Sequence, residues 1–513
     1  MGSVIRNNSG IWGGGGIRVS GAQTGVTLLK NVYIRDNSSN SGAGIKIIAG
    51  VSILDSVTIM NNTAISGNIP GTVGGGGIDV SNATLYLSNS IINNNLAGIG
   101  GYTGINGGGI GAYNSTLTIE NTTLTGNTAT GSGGGIYGAQ NSSIILDSVT
   151  ISNNTANEGG GISTSNSKLI IRNSTISSNT SDDNGGGVSH RGGDEATFYN
   201  CVFQNNVGTV GGGLMTEGRD VVVSESIFYG NSCNEKGSAI NLYGNGDYII
   251  SNSIFIQNST TENQSGEAAV IYFAQWPQNA TPSIRMQNSI LWDNDIPSFL
   301  FMRAHQDTLM IDYSIIEGGI DSINAVGNQL IYGSNNLDQD PLFSDINSGD
   351  YTLQSGSPAI DVGNPNAFYN DGDGTRNDMG YTGGNGIVLS ATEFDFGYVG
   401  VGDSRNKTLT VTNNRNSDIS VSGASFDDTQ FSASTSFPVT VAAYSAADIT
   451  LTFTPSATGA KTGTLQLSSA DIPGDATYGE FALSGNAFDL SDGVVQVPGE
   501  VPTIQGAIDA ASD

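Results

Sequence analysis

The side chains best suited to catalysis in this 513-residue chain are Arg191 and Glu217. Each stands three positions after an aliphatic residue that directly follows a glycine triplet, so both are expected to face outward from neighbouring segments. His190 faces inward by alternation, and Asp182 and Asp183 precede the triplet. Acid and base catalysis needs several such groups within about 5–10 Å of each other. A surface ion pair, worth at most about 1 kcal/mol, is the simpler interpretation of Arg191 and Glu217.

Oxygen ligands that would suit calcium gather in one glycine-rich stretch, at Asp371, Asp373, Asn377 and Asp378. Carboxylate and amide oxygens of this kind are the ligands that Ca²⁺ prefers. The spacing departs from the EF-hand pattern, because Arg376 stands where that pattern has glycine if Asp371 is the first ligand. A hydrogen-bonded turn is therefore the alternative to a metal site.

Three further charged residues, Glu120, Asp147 and Arg172, share one register at a predicted bend. Stacked carboxylates could hold calcium there, but Arg172 neutralises them more simply. The sequence therefore predicts no cofactor, and a structural calcium ion is the alternative. Cys201 falls at an inward position and Cys233 in a bend, so no disulfide is predicted, and two histidines without a ligand cluster argue against zinc.

An aromatic cluster of Tyr272, Phe273, Trp276 and Trp292 is the candidate ligand-binding site. Aromatic faces that are exposed on an elongated protein could stack on sugar rings. The alternative is that an inserted loop packs over the core at this point.

These residues must be positioned by a repeat. Gly-Gly-Gly followed by an aliphatic residue ends at Ile110, Ile136, Ile162, Val188 and Leu214, with 26 residues from each to the next. Degenerate copies end at Ile17, Ile45, Ile78, Ile240 and Val270. A fixed period of this length indicates a solenoid. We call the aliphatic residue after each triplet the marker of its coil. If Val270 is the marker of the tenth copy, Ile271 and Phe273 are expected to face outward.

A second signature within each period is an apolar residue three positions before an asparagine, as in Leu124/Asn127 and Ile151/Asn154. Alternation by two before this residue indicates strands, and it slips at an Asn-containing bend such as Glu120-Asn121. Three short strands per coil then predict a parallel β-helix of about ten or eleven coils, on the order of 50 Å long. Stacked asparagines should hydrogen-bond along the axis.

This pattern resembles right-handed parallel β-helix repeat proteins, and the GGxI and FxxN pair is similar to the repeat of chlamydial polymorphic outer membrane proteins. The resemblance covers roughly residues 1–385, with coils over 1–335. Residues 336–385 resemble the closing segment of secreted bacterial β-helix proteins, which should cap the open core. The resemblance implies no single activity, because the fold carries lyases, hydrolases, adhesins and stalks. An enzyme of this kind would place its groove outside the strand after the glycine triplet.

Residues 386–487 show alternating strands and frequent turns, typical of a β-sandwich. Motifs such as Phe394-Asp395-Phe396-Gly397 and Leu451-Thr452-Phe453-Thr454-Pro455 resemble an immunoglobulin-like module of the choice-of-anchor D type, which implies a spacer. Residues 488–513 are predicted to form a linker and the start of a further β-helix, with Thr503 as a helix N-cap. The expected whole is an all-β chain, a segment of a longer alternating array.

The net charge of −29, with only 17 lysines and arginines, excludes nucleic acid as an expected partner. The sequence contains no stretch that predicts a membrane span. We expect a secreted or cell-surface protein of bacterial type that acts as an adhesin, stalk or filament segment. Its expected partners are other surface proteins, glycans or copies of itself in a homo-polymer. A polysaccharide lyase or glycoside hydrolase is the alternative.

Overall fold

The computed structural model describes most of the chain between Ser3 and Phe488. The residues outside the description are 1–2, 12, 21–25, 66–73, 99–103, 194, 219, 262–266, 276–282, 297–299, 303–306, 367–368, 372–373, 385, 392, 416, 444, 472–477 and 489–513. The chain divides into two compact units, Met1–Pro358 with Met379–Tyr381, and Ala359–Asp378 with Thr382–Asp513. The predicted linker and helix after 488 lie outside the described residues.

The first unit is a parallel β-helix, and one coil illustrates how the sequence forms it. The coil consists of Ile110–Tyr113, Thr116–Glu120, Thr123–Thr125 and Thr128–Ala129. Asn121 has a φ of 45° and Gly126 a φ of 64°, so both bends use the left-handed backbone that Asn and Gly tolerate. The predicted bends are present, and a further bend at Asn114 divides the first face into two strands.

The first face carries two strands per coil. Its first strands follow the glycine triplets and are Ile17–Ser20, Ile45–Asp55, Ile78–Ser88, Ile110–Tyr113, Ile136–Ala139, Ile162–Ser165, Val188–Arg191, Leu214–Gly218, Ile240–Gly244, Ile271–Gln275, Leu300–Met302 and Ile323–Asn324. Its second strands are Val26–Lys30, Thr116–Glu120, Ser143–Asp147, Lys168–Arg172, Ala196–Tyr199, Val221–Ser224, Tyr248–Ser251, Ser283–Gln287, Thr308–Asp312 and Gln329–Tyr332. In the coils of Ile45–Asp55 and Ile78–Ser88 both strands are continuous.

Over the residues that the structure describes, the second face is a 12-stranded parallel sheet and the third is a 10-stranded one. The second face comprises Ser3–Arg6, Val32–Arg35, Thr58–Met60, Ile91–Asn93, Thr123–Thr125, Thr150–Ser152, Thr175–Ser177, Val202–Gln204, Ile227–Tyr229, Ile254–Ile256, Ile290–Trp292 and Ile315–Ile316. The third comprises Ser9–Gly10, Ser38–Ser39, Thr63–Ala64, Leu96–Ala97, Thr128–Ala129, Thr155–Ala156, Thr180–Ser181, Val207–Val210, Ser232–Lys236 and Ser259–Thr260. Twelve stacked strands make a rod of about 50 Å.

The register of the coils follows the glycine repeat with one exception. Ile110 pairs with Ile136, and Leu214 pairs with Ile240, as the period predicts. Ile240 then pairs with Ile271, so the prediction that Val270 marks this coil is wrong. Ala268, Ala269 and Val270 take the place of the triplet, and the strand begins one residue later than predicted. The shift by one reverses the facing of every side chain in that strand.

The interior is filled by aliphatic rows and by one asparagine from each coil. The Oδ1 atom of Asn95 accepts hydrogen bonds from the backbone amide and the side-chain amide of Asn62, at 3.1 and 3.0 Å. Its own Nδ2 donates to the carbonyl of Ile59 at 2.9 Å and to Oδ1 of Asn127 at 3.0 Å. Each buried amide is therefore satisfied along the axis, as predicted. The members of this asparagine ladder are Asn8, Asn37, Asn62, Asn95, Asn127, Asn154, Asn179, Asn206, Asn231, Asn258 and Asn294.

A second polar row runs inside the bend between the first and second faces. The Oγ atom of Ser253 accepts the backbone N–H of Ser226 at 3.2 Å and donates to the carbonyl of Ser251 at 2.8 Å. Cys201 occupies the same row, and its backbone N–H donates to Oγ of Ser226 at 3.1 Å. The inward, buried position predicted for Cys201 is confirmed.

The predicted closing segment is divided between the two units. Its part in the first unit includes the hairpin Phe343–Asp345 and Asp350–Leu353, with the 3₁₀ turns Gly319–Ser322 and Ile346–Ser348 nearby in sequence. Tyr351 packs on Tyr229 with ring centroids 5.7 Å apart.

Gly380 donates its backbone N–H to the carbonyl of Asn288 and lies against the outward side chains of Ile254 and Ile290. The last coil keeps Ile323 and Leu330 only partly buried. Within the first unit, Tyr351 and Gly380 thus contact the outward side of the second face, and the capping of the open end stays a prediction. The outward isoleucines of the second face give this segment an apolar surface to cover.

The second unit contains the predicted sandwich. Its strands are Ile387–Leu389, Glu393–Gly400, Arg405–Asn413, Ile419–Val421, Gly423–Phe426, Phe431–Ala433, Val439–Val441, Ser445–Phe453, Gly459–Ser468 and Tyr478–Phe488. They form two four-stranded sheets and one two-stranded sheet. The core is apolar, and Phe431 and Phe453 stack within it at 4.8 Å. The chain is therefore nearly all-β, a β-helix followed by an immunoglobulin-like sandwich, as predicted.

Candidate functional site

The outer surface of the first strands is where charged groups come together. Residues one and three positions after each marker point outward there, and parallel pairing brings neighbouring coils side by side, so Ser165, Arg191 and Glu217 are consecutive partners. We call the set Glu158, Arg191 and Glu217 the guanidinium cluster.

Arg191 lies between two carboxylates in the guanidinium cluster. Its Nε atom is 2.6 Å from Oε1 of Glu158 and 3.6 Å from Oε2 of Glu217. Glu158 is the more enclosed of the two, with 15% of its side chain exposed against 43% for Glu217. Glu158 also accepts a hydrogen bond from the hydroxyl of Ser189 at 2.7 Å. The pairing of Arg191 with Glu217 is thus present, but the closer partner is Glu158.

Sequence reasoning missed Glu158 because it precedes a glycine triplet and does not follow one. It belongs to the turn before Gly159, whose backbone φ of 61° turns the chain into the next strand. A signal in the sequence could have found it. An acidic residue stands directly before the glycine triplet of one coil, and a basic residue follows the triplet of the next coil. Chemically, a guanidinium placed between two carboxylates offsets one of their two negative charges and pairs with both, which favours an ion-pair network over acid and base catalysis.

A buried pair lies further toward the N-terminus on the same outer surface. The Nζ atom of Lys46 is 2.6 Å from Oδ2 of Asp79, whose side chain is fully buried. Burial raises the pKa of Asp79, although the nearby Lys46 ammonium acts in the opposite direction. Two tyrosines, Tyr113 and Tyr137, lie beside each other with ring centroids 5.7 Å apart. Burial raises the pKa of Tyr113, and Tyr137 and Asp79 raise it further.

His190 is buried and inward-facing, as its parity predicts. Its Nδ1 atom lies 2.7 Å from the hydroxyl oxygen of Thr164 in the preceding coil. Asp182 and Asp183 are exposed in the preceding turn. His190 is therefore part of the interior of the rod and does not join the outward charges.

The predicted calcium ligands occupy a hydrogen-bonded turn in the second unit. The carboxylate of Asp371 accepts the backbone N–H of Asp378 at 3.2 Å, and Asp378 accepts the backbone N–H of Asp361 at 2.7 Å. The amide of Asn377 donates to the carbonyls of Tyr369 and Gly383. Asp373 lies outside the described residues. These contacts fit the structural turn, and calcium here stays a prediction.

Glu120, Asp147 and Arg172 are stacked in consecutive coils, as their register predicts. Asp147 accepts hydrogen bonds from Asn173 at 2.9 Å and from Ser148 at 3.0 Å. Across the described residues, no three histidine, cysteine, aspartate or glutamate side chains are grouped so as to hold a metal ion.

The aromatic candidates do not form one exposed patch. Tyr272 and Phe273 are both buried, because the strand begins at Ile271 and Phe273 turns into the core against Tyr248, with ring centroids 5.4 Å apart. The hydroxyl of Tyr272 donates to Glu267 at 3.1 Å. The expectation that these two rings offer faces to sugars is therefore corrected. Trp292 is half-buried, and Trp276 lies outside the described residues.

Both cysteines are free and buried. Burial raises the pKa of Cys201 to about 12 and that of Cys233 to about 11. Such thiols are inert, because the thiolate is the reactive form.

Among the described residues no helix is long and apolar enough to cross a bilayer.

Comparisons with known families agree with this architecture. Residues 108–275 match the right-handed β-helix region, and residues 387–473 match the ASPM-SPD-2-Hydin domain named for abnormal spindle-like microcephaly-associated protein. The chain thus contains a right-handed parallel β-helix followed by an immunoglobulin-like domain of this second family. Comparison with curated proteins gives no match.

Several solved structures are similar to about a fifth of the chain. PapD-like domain 7 of human CEP192 is 14% identical, with 20% of this chain and 86% of that chain covered and a TM-score of 0.16. The secreted serine protease VesC of Vibrio cholerae is 19% identical over 20% of this chain and 23% of that chain, with a TM-score of 0.17. The C. elegans MSP family member WR4 is 13% identical, with 20% of this chain and 98% of that chain covered and a TM-score of 0.15.

Proposed function

We propose that this chain is a structural segment of a secreted or cell-surface protein, a spacer or stalk that presents adhesive parts. The observation that carries the proposal is the asparagine ladder, which joins consecutive coils from Asn37 to Asn294 along the length of the rod. A fold whose buried polar groups are used for axial bonds is suited to holding a fixed length. Both matched families are compatible with such a role.

The surface chemistry supports a spacer. In the guanidinium cluster Arg191 is held in ion pairs with Glu158 and Glu217, and Lys30 pairs with Asp55 at 2.7 Å. The large negative charge of the chain opposes non-specific adhesion to anionic surfaces. Other surface proteins, glycans or further copies of the chain are the proposed partners.

The test is display of the chain between a cell anchor and a fluorescent tag, with the tag's height above the membrane as the readout. A spacer should raise the tag in proportion to the number of coils. Deletion of residues 137–162 removes one 26-residue coil, because Ile136 and Ile162 occupy equivalent positions in consecutive coils. This deletion should lower the tag by about 5 Å. A height that is independent of coil number would contradict the proposal.

The polysaccharide enzyme remains a second candidate because the structure adds Glu158 to the two outward residues foreseen. Two carboxylates and a guanidinium on one surface could serve a lyase or hydrolase if substrate displaced the ion pairs. The test is a panel of polysaccharides assayed for new reducing ends or unsaturated products, with Glu158→Gln and Glu217→Gln as controls. Product formed by the wild type and lost in both variants would favour the enzyme over the spacer.

A further inference from the structure

The buried pair Lys46 and Asp79 has the geometry of two reactants as well as that of an ion pair. Lys46 follows the marker Ile45 and Asp79 follows Ile78, so the two residues are direct partners in adjacent strands. Nζ of Lys46 and Oδ2 of Asp79 are 2.6 Å apart. Only 16% of the lysine side chain is exposed, and none of the aspartate side chain.

We propose that Lys46 and Asp79 condense to an intramolecular amide that joins consecutive coils of the rod. A proton passes from Nζ to the carboxylate, which leaves a neutral amine and a neutral carboxyl group. The amine nitrogen then bonds to Cγ of Asp79, and one carboxyl oxygen leaves as water. Lysine amine and aspartic acid thus become one amide and one water molecule, and no oxidant or cofactor is consumed.

Enclosure supports this chemistry. Burial removes the hydration that stabilises the Asp79 carboxylate and raises the pKa of Asp79, so its neutral carboxyl form becomes accessible. A lysine that has lost its water shell is also the form that acts as a nucleophile in proteins. Holding both groups in contact replaces a bimolecular reaction by an intramolecular one, which favours it strongly.

Neighbouring side chains hold the two groups in place. Ser81 donates a hydrogen bond to Oδ1 of Asp79 at 3.2 Å, on the oxygen that gains negative charge when the amine adds. Lys46 donates to the hydroxyl of Ser41 at 3.1 Å. The turns close over the pair, because a Cβ at Gly42 would meet Cβ of Asp79 at 3.0 Å.

The chain offers its own control in Lys30 and Asp55. These residues are equally close, at 2.7 Å, and are also paired between neighbouring strands. Here 58% of the lysine side chain is exposed, and hydrogen bonds from Asn89 and Lys30 lower the pKa of Asp55. The Asp55 carboxyl group therefore stays ionised, and we expect no amide between these two residues.

Lysine-specific proteolysis of the denatured wild-type chain tests the proposal, because no lysine lies between Lys46 and Lys168. An amide at Lys46 blocks cleavage and gives a single fragment 31–168, lighter than its sequence by one water. Cleavage at Lys30 should proceed normally. Fragments 31–46 and 47–168, both at their full sequence masses, would overturn the proposal.

Two variants separate the amide from other losses of water. Asp79→Ala should restore cleavage at Lys46 and give the two separate fragments at full mass. Lys46→Arg keeps the charge and cannot be cleaved at this position, so it should give fragment 31–168 without the loss of water. A loss of water that persists in Lys46→Arg would assign it to another residue and overturn the amide. Because the fragments are measured after denaturation, the wild-type result does not depend on how well either variant folds.

Discussion

Oδ1 of Asn154 accepts two hydrogen bonds from Asn127, one from the backbone N–H at 2.9 Å and one from the side-chain amide at 3.0 Å. Its own amide donates to Asn179 and to the carbonyl of Leu124. One side chain thus serves three coils. Asparagine is suited to this, because its amide carries an acceptor and two donors at one end.

Replacing Asn154 by Leu should destabilise the rod by about 1–3 kcal/mol for each buried group left without a partner. The measurement is the urea midpoint followed by circular dichroism. Asn153→Gly is the matched control, because Asn153 is exposed with a φ of 55°, which glycine adopts freely. Equal losses in the two variants would contradict the role of the asparagine ladder.

Much of the fold was predictable because each coil repeats the same constraints. The spacing from Ile110 to Ile136 and the asparagine at Asn127 fix the register, and neighbouring coils confirm it. The prediction at Val270 was wrong because alanines replace the glycine triplet there, and nothing in the local pattern marks the extra residue. Because inward and outward side chains alternate, counting from Val270 placed Phe273 on the outside, whereas it lies in the core.

The candidate site was less predictable because it depends on turns. Arg191 and Glu217 follow from strand parity, whereas Glu158 reaches Arg191 from a bend whose side-chain direction no alternation specifies. The enclosure of Asp79 could not be foreseen either, since it results from turns of adjacent coils. Strand positions are therefore predictable from a repeat, and corner positions are not.

The two buried thiols should resist labelling in the folded protein. With folded pKa values of about 12 for Cys201 and about 11 for Cys233, both remain protonated at pH 8. We expect slow reaction with a disulfide reagent in buffer and rapid reaction of both in urea. Fast labelling of the native chain at pH 8 would contradict the burial of these residues.

The same shifts give a dependence of stability on pH. In the unfolded chain the thiol has its ordinary pKa of 9.0 and ionises before the folded one, so the unfolded state loses protons first as the pH rises. The contribution of the Cys201 thiol to the free energy of unfolding should be constant below pH 9 and decline above it. The variant Cys201→Ser should show a flatter decline. Measuring the urea midpoint between pH 7 and pH 10 tests this, and an identical slope in Cys201→Ser would count against it.

Gly161, the last residue of a glycine triplet, should not tolerate a side chain. A Cβ there would lie 2.6 Å from the carbonyl oxygen of Gly187 in the next coil, and neither backbone can move without breaking ladder bonds. We expect Gly161→Ala to destabilise the rod by about 1–3 kcal/mol, as overpacking does. Gly218→Ala is the control, because its nearest neighbour would be at 3.6 Å. Similar urea midpoints for both variants would show that the triplet is not sterically required.

Glu158 and Glu217 should contribute unequally to the guanidinium cluster. Glu158 is closer to Arg191 and less exposed, and it also holds Ser189, so Glu158→Gln should lower stability more than Glu217→Gln. For the exposed pair with Glu217 we expect about 0.2–1 kcal/mol. Double-mutant cycles with Arg191→Met, at low and at high salt, measure each coupling, and salt should weaken the Glu217 coupling more because that pair is better solvated. A larger coupling for Glu217 than for Glu158 would mean that Arg191 points toward solvent, and the two carboxylates would then be free for chemistry on this surface.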